Sequence, residues 1–398
     1  MAREVSGAGE NGRAAVSQST GDAALLRRLQ AEVDACRATG LFQLPAWELI
    51  PKWRTLLERE PTKLFRKDGT IDAAALRQFR RRQLFVSDVP VWNPRRLSLW
   101  NLVGGGRRGD RRLLGECLEI IRGSPAESLL RKYPCPVAGE PHTLGREGYR
   151  YTYRWLKHIW SLGLMKRVLG ARLGTEFVCL DIGSSYGIFS GLVKHEWPRS
   201  HHILVDFPEQ LLLAHYFLSS WLPGCRVAGM DEVLQQDTLT RAWCEQYDFI
   251  LVPCSRYQAL PEGLADVATN FASFGEMTRK WFRFYVESKP FTTARYIFLI
   301  NRLKSAPTYD TDLTILDYPL WDSSRCLHFG VAQMFSAVHG YRRRYLFFWE
   351  RYAPNVYFEY IGDQQVADSR LAEHAAGCST HPEPDGPQRS SKLASGKG

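Results

Sequence analysis

Val178-Cys-Leu-Asp-Ile-Gly-Ser-Ser-Tyr-Gly-Ile-Phe-Ser190 reads as a buried strand that ends in a glycine-bearing turn and opens a helix. Phe177-Val178-Cys179-Leu180 is apolar and strand-like, while Ile188, Phe189, Leu192 and Val193 follow at helical spacing. Between them, Gly183 and Gly187 permit backbone geometries and a close ligand approach that a side chain would block. A helix N-terminus there offers free N–H groups and the positive end of a dipole. The stretch is therefore expected to cradle a nucleotide-like ligand.

Working outward, short apolar runs alternate with amphipathic helices beyond residue 177, the signature of parallel strands joined by crossover helices. Strands are expected near 177–182, 202–206, 248–253, 265–270 and 294–301, and helices near 187–196, 208–220, 236–246 and 276–288. Tyr345-Leu-Phe-Phe-Trp349 and Asn355-Val-Tyr-Phe-Glu-Tyr360 are strand-like and aromatic, and are expected to close the sheet as an antiparallel pair. The spacing predicts an α/β, Rossmann-like sheet over 165–365, preceded by a mainly helical region over 23–164. In that region Asp72 is placed to cap a helix, and Tyr149 to Leu169 forms a long helix that delivers the chain to the first strand. Residues 1–22 and 366–398 are rich in Gly, Ser and charge and are expected to be disordered tails.

The 398 residues, 44% hydrophobic, can build a substantial core. No apolar run reaches the roughly 18 residues that would span a bilayer, and none of signal-peptide type opens the chain. Nine cysteines without a CxxC pair argue against zinc modules and a disulfide framework, so reduced thiols and a cytoplasmic location are expected. The net charge is +10, with arginines clustered at 77–82, 107–112 and 342–344. Such clusters favour anionic partners or are simply solvated, and no nucleic-acid-binding motif accompanies them.

Ligands of an open parallel sheet bind at the carboxyl ends of its strands. Asp181-x-Gly183-x-Ser185-x-Gly187 approximates an acidic-x-Gly-x-Gly-x-Gly turn, with Ser185 at the middle glycine, and lacks the dinucleotide GxGxxG spacing. His202-Ile-Leu-Val-Asp206 ends in an acid 25 positions after Asp181, near the offset at which a carboxylate receives both hydrogens of a ribose diol. Asp206 also suits the cap of the helix beginning at Pro208.

Three segments together, Leu180-Asp-Ile-Gly-Ser-Ser-Tyr-Gly187, Asp206-Phe-Pro-Glu-Gln-Leu-Leu-Leu213 and Asp266-Val-Ala-Thr-Asn-Phe-Ala-Ser-Phe-Gly-Glu-Met277, resemble a family of sugar O-methyltransferases. The resemblance covers roughly residues 135–360 and implies a class I methyltransferase fold that uses S-adenosylmethionine. Carried over, Asp181, Gly183 and Gly187 border the methionine part, Ser184 and Ser185 share that turn, and Asp206 meets the ribose. Adenine is expected at Cys254-Ser255, with Ala228-Gly-Met-Asp231 competing for the role. The acceptor implied is a sugar, glycoside or nucleotide-sugar, without membrane and without nucleic acid.

On the acceptor side, Asn270 and Ser273 offer hydrogen bonds, and Glu276 either takes a proton or caps a helix. The long polar and aromatic connection after the fifth strand has the character of a substrate loop. Tyr309, Tyr318 or Trp321 could stack on a sugar face, and Asp322 or His328 could order its hydroxyls. Candidates for the base are His328, then Glu276, then Asp322. Asp310-x-Asp312 lacks the further oxygen ligands of a Mg²⁺ site, so no metal is expected. Two other readings stay open: a methyltransferase of another small hydroxylated metabolite, and a non-catalytic nucleotide-sugar or RNA binder on the same scaffold.

Overall fold

The structure, a computed structural model, describes residues 8–42, 49–85, 105–146, 148–306, 309–320, 324–339, 341–345, 349–353 and 355–364. The amino-terminal part holds helices α1 (Ala8–Ala38), α2 (Pro51–Arg59), α3 (Pro61–Leu64), α4 (Ala73–Arg77), α5 (Phe79–Arg82), α6 (Gly105–Ile121) and α7 (Ala126–Lys132). A short hairpin, β1 (Leu144–Arg146) and β2 (Tyr149–Tyr151), leads into α8 (Tyr153–Leu169). Asp72 caps α4 by accepting from the N–H groups of Ala74 and Ala75. Thr152 caps α8 through the Trp155 N–H. Helix α1 takes in residues 8–22, which composition alone assigned to a disordered tail. Helix propagation from the docked segment containing Leu29 and Val33 costs far less than nucleation, which composition does not register.

The central sheet has eight strands in the order β5-β6-β4-β3-β7-β8-β12-β9. They are β3 (Val178–Ile182), β4 (His201–Asp206), β5 (Val227–Ala228), β6 (Phe249–Pro253), β7 (Val267–Phe271), β8 (Tyr296–Arg302), β9 (Arg325–Val331) and β12 (Tyr357–Asp363). Every pairing from β5 to β8 is parallel, and β12 runs antiparallel to both β8 and β9. This is the α/β, Rossmann-like architecture expected, with the strand order reversing beside β3, where such sheets open a crevice. Crossovers are made by α9 (Ile188–Glu196), α10 (Pro208–Trp221), α11 (Met230–Leu234), α12 (Arg241–Cys244), α13 (Arg279–Val286) and α14 (Lys289–Thr292).

Alternation along the strands builds a core on each face, because successive side chains point to opposite sides. Val178, Leu180, Ile182, Ile203 and Val205 join one cluster with Tyr257, Phe274 and Phe282. Cys179, Leu204, Phe249 and Leu251 join the other with Trp155, Leu162, Phe189 and Phe217. The second cluster continues into Leu29, Leu64 and Phe79, so the amino-terminal helices share the sheet's core. Helices α7 and α8 meet at Gly163, where a Cβ would stand 2.8 Å from the Ala126 backbone nitrogen.

The carboxyl-terminal third departs from expectation. Of the stretch 345–349, residues 346–348 lie outside the described residues, and its two ends, Tyr345 and Trp349, pair with each other in a separate two-stranded sheet, β10 (Tyr341–Tyr345) with β11 (Trp349–Ala353), instead of with β12. The second antiparallel neighbour of β12, besides β8, is β9, within the segment read as a substrate loop. Its mixed, half-exposed residues are those of an edge strand, for which periodicity is a weak guide. The helix expected over 236–246 shrinks to the single turn α12, with α11 lying before it, and that over 276–288 narrows to α13. Helix α15 (Gln333–His339) packs beside α6 and α8.

The basic clusters are not uniformly solvated. Arg80 is fully buried and donates to the carbonyls of Pro136 (2.7 Å) and Ala138 (3.0 Å), with its guanidinium over the Tyr186 and Phe217 rings. No helix among the described residues is long and apolar enough to cross a membrane.

Candidate active site

The ends of β3, β4 and β7, roofed by α2 and flanked by α8, enclose a cavity of about 490 Å³. That volume is typical of a small-molecule or cofactor site. Its first wall is the turn after β3. Gly183 has φ +72° and Gly187 φ +75°, in the left-handed region that glycine enters freely. A Cβ on Gly183 would collide with Ser273 Oγ, and one on Gly187 would come within 2.7 Å of the Leu204 side chain. Ser185, in place of the middle glycine, also has a positive φ, +53°. Hydrogen bonds hold it there. Its N–H donates to Asp206 Oδ2 (2.6 Å), while its hydroxyl donates to Gln210 Oε1 (3.3 Å) and accepts from Arg154 Nη1 (3.1 Å).

Asp206 ends β4, and its other oxygen accepts from the Phe207 N–H at 2.8 Å. Burial pushes its carboxyl up to about 6 against those two N–H groups. Asp181 lies deeper, accepting from Thr269 Oγ1 (2.8 Å) and Ser190 Oγ (3.2 Å), and burial pushes it up to about 7. Ser184 Oγ is buried in the lining with no hydrogen-bond partner among the described residues. Cys254 lines the cavity, as do Phe207 and Trp53, whose rings lie 5.5 Å apart. The competing segment 228–231 is covered by α1. Met230 N–H donates to Glu32 (2.8 Å) and Asp231 pairs with Arg28 (2.9 Å).

The opposite wall is built from distant parts of the chain. Glu276 pairs with Lys52 of α2 (3.2 Å) and Arg302 of β8 (3.1 Å), and both cations also donate to the Tyr309 hydroxyl. Burial alone would raise the Glu276 carboxyl, but Lys52 and Arg302 outweigh it and hold the group below its ordinary value. It is an ionised, pinned carboxylate. Tyr309 is raised by its own burial and by Glu276, so its hydroxyl stays protonated. Glu60, also in the lining, is taken by Arg59 (2.9 Å) and Lys63 (2.7 Å).

Asn270, expected to meet substrate, is absent from the lining. It is fully buried, donating to Ile182 O (2.7 Å) and Ser273 Oγ and accepting from Phe274 N–H (3.1 Å) and Asn301 Nδ2 (2.9 Å). With its amide committed to the ends of β3 and β8, its part is to hold the wall together. Ser273 does line the cavity. His328, the first choice for a base, is on edge strand β9 outside the cavity, with Nε2 3.0 Å from Glu359 of β12. Glu359 also accepts from Trp160 Nε1 (3.0 Å), so His328 belongs to a sheet-edge network. Asp322 and Trp321 lie outside the described residues. Tyr318 is buried in the core against Phe282 and Phe358, and Asp312 pairs with Arg279 (3.0 Å).

Sequence reasoning missed the side chains of α8. Arg154, Lys157 and His158 line the cavity, and α15 adds His339, whose Nε2 is 2.8 Å from Lys157 Nζ. His158 is buried, packed on the Phe189 and Phe271 rings, and its Nδ1 has no hydrogen-bond partner among the described residues. Burial first, then Arg154 and Lys157, hold its pKa well below the ordinary histidine value, so the imidazole is neutral. The signal was present in the sequence. Arg154, Lys157, His158 and Ser161 recur at three- and four-residue spacing, a polar stripe on the largely buried part of the helix that precedes its exposed last-turn cations Lys166 and Arg167.

No family model and no curated protein matches this chain. Solved structures do. The precorrin-6y C5,15-methyltransferase of Geobacter metallireducens is 11% identical over 51% of this chain and 88% of its own, with a TM-score of 0.28. The geranyl diphosphate C-methyltransferase of Streptomyces coelicolor, determined with Mg²⁺, geranyl-S-thiolodiphosphate and S-adenosyl-L-homocysteine, is 8% identical over 51% and 75%, with a TM-score of 0.34. A tRNA methyltransferase of B. subtilis, TrmK, is 9% identical over 50% and 64%, with a TM-score of 0.28. The likeness covers about half of this chain and extends no further than the fold.

Proposed function

We propose that this protein is an S-adenosylmethionine-dependent O-methyltransferase acting on a sugar or glycoside hydroxyl. The observation that carries the reading is the turn at 183–187. A glycine-lined cradle with an orphaned Ser184 hydroxyl faces the same cavity as the Asp206 carboxylate on the neighbouring strand. These residues fit the methyl donor. Asp206 suits the ribose diol, Phe207 and Cys254 flank the place for adenine, and the Arg154 guanidinium beside Ser185 suits the methionine carboxylate.

When bound, the sulfonium of the donor supplies an electrophilic methyl group with a neutral thioether as leaving group. The chain's own contribution is to hold the acceptor oxygen in line and to exclude water, and orientation of this kind can contribute on the order of 7–11 kcal/mol. As the methyl–oxygen bond forms, the hydroxyl proton needs an acceptor. His158, neutral and in the lining beside the turn, is that acceptor in this reading. Glu276, pinned by two cations, positions Tyr309 and Lys52 instead.

The test is incubation with donor labelled in its methyl group and a panel of free, glycosidic and nucleotide-linked sugars, followed by mass analysis. A product heavier by one methyl, with label on oxygen, is expected. Failure to bind S-adenosylhomocysteine in calorimetry would sink the reading.

A further inference from the structure

Helix α2 belongs to the amino-terminal helices, yet it roofs the strand ends of the sheet. Trp53, Leu56, Leu57 and the capping Glu60 recur at helical spacing and form its inward stripe, while the rest of the helix is exposed. Leu57 is buried, but Trp53 is only half-buried and lines the cavity. A large ring held on the inward face with apolar surface still uncovered is stabilised by whatever flat group covers it. Its ring meets that of Phe207 with centres 5.5 Å apart and planes inclined at 46°, so the two form an aromatic corner instead of a flat stack. Phe207 directly follows Asp206, and Asp206 stands opposite Pro253 in the register of β4 and β6, with Cys254 next in the chain. The corner therefore lies at the strand ends where the Asp206 carboxylate suits a ribose, and a base is one glycosidic bond from its ribose. The preceding residue, Lys52, turns the other way, to Glu276 (3.2 Å) and the Tyr309 hydroxyl (3.2 Å). Adjacent helix positions point about 100° apart, so α2 can send one side chain to each end of the cavity.

Resting on the methyltransferase reading, we infer that Trp53 is a donor-binding residue, whose ring covers the adenine of the methyl donor beside Phe207. The donor site is then completed by a helix that lies outside the parallel sheet, and the amino-terminal region is part of the binding site as well as of the core. The ligand recognised at this corner is a planar purine, because two inclined aromatic faces reward a flat ring and offer a free sugar hydroxyl no partner.

Calorimetry with S-adenosylhomocysteine on the full chain tests this, together with tryptophan fluorescence. Trp53→Ala should weaken binding by about tenfold or more, the scale of removing one ring from a stacked base, while Trp53→Phe keeps it within about threefold. A base stacked on an indole quenches it, so the fall in emission on saturation with S-adenosylhomocysteine should be smaller in Trp53→Phe than in the unaltered protein. The emission arm uses the variant that keeps an aromatic ring, so it stands even where Trp53→Ala does not fold. Trp243→Phe, at a ring that packs on Tyr247 outside the cavity, should leave affinity and quenching unchanged. Nearly unchanged affinity in a folded Trp53→Ala, or equal quenching in Trp53→Phe and the unaltered protein, would overturn the inference. An unaltered protein that fails to bind S-adenosylhomocysteine strikes the methyltransferase reading itself, whereas binding that is indifferent to Trp53 strikes the inference and leaves that reading standing.

Discussion

The two ends of the cavity are built in opposite ways. The end at β3 and β4 is acidic and local: Asp181, Gly183, Ser184, Ser185 and Asp206 come from two consecutive strands and their turns. The other end is scattered, drawing Lys52 from α2, Lys157 from α8, Glu276 from the turn after β7 and His339 from α15, with Arg302 of β8 paired to Glu276 outside the lining. In the proposed reading the methyl donor's ribose meets the first end. The contrast teaches that one wall of a cavity can be written in one short stretch, whereas the opposite wall exists only once distant elements are packed together.

Four measurements would break or sharpen the contrast. The largest effect is expected at the junction of the two ends. His158→Gln should lower turnover by roughly 10²- to 10⁴-fold, the usual contribution of a general base, with S-adenosylhomocysteine affinity nearly unchanged. Turnover within tenfold of the unaltered protein would remove His158 from the chemistry. Next, Asp206→Ala deletes a charged acceptor worth about 1.5–3 kcal/mol, so S-adenosylhomocysteine should bind on the order of 10- to 100-fold more weakly in calorimetry. An unchanged dissociation constant would refute the ribose role.

The third effect is pH dependence at the acidic end. The Asp206 carboxyl is raised to about 6 in the free protein, and a bound donor that prefers the ionised form must displace its proton. Affinity for S-adenosylhomocysteine should therefore rise about tenfold between pH 5 and pH 8, with proton release detectable in buffers of different ionisation enthalpy. The same raised pKa values work against the empty fold. Asp181 and Asp206 bind protons more tightly folded than unfolded, so their contribution to stability falls as pH rises from about 4 through 7. A flat affinity profile would place the donor away from both carboxylates. Smallest is His328→Ala. It breaks a sheet-edge contact with Glu359 and should cost about 1 kcal/mol in urea unfolding while leaving turnover within twofold. A hundredfold loss of turnover would restore His328 as the base.

Legibility in the sequence followed the same division. The strand, turn and helix from 178 to 196 were readable because each is specified by neighbours: alternation, two glycines at positive φ, then helical spacing. Asn270 misled for the opposite reason. A polar residue at a strand end looks like a ligand contact, and only packing shows that its amide is spent on Ile182, Ser273, Phe274 and Asn301. His328 misled because edge strands carry half-exposed, mixed side chains that resemble loop sequence.

By itself the sequence determined the parallel α/β sheet, the turn at 183–187 and the acid at the end of the second strand, since the periods of strands and helices and the backbone demands of glycine act over a few residues. Only the tertiary structure decided which charged side chains face the cavity, that Lys52 reaches Glu276 across 224 positions of chain, and that His158 lines the cavity while His328 does not. Burial and electrostatic pairing depend on what packs opposite a residue, and for these side chains that partner is set by the fold.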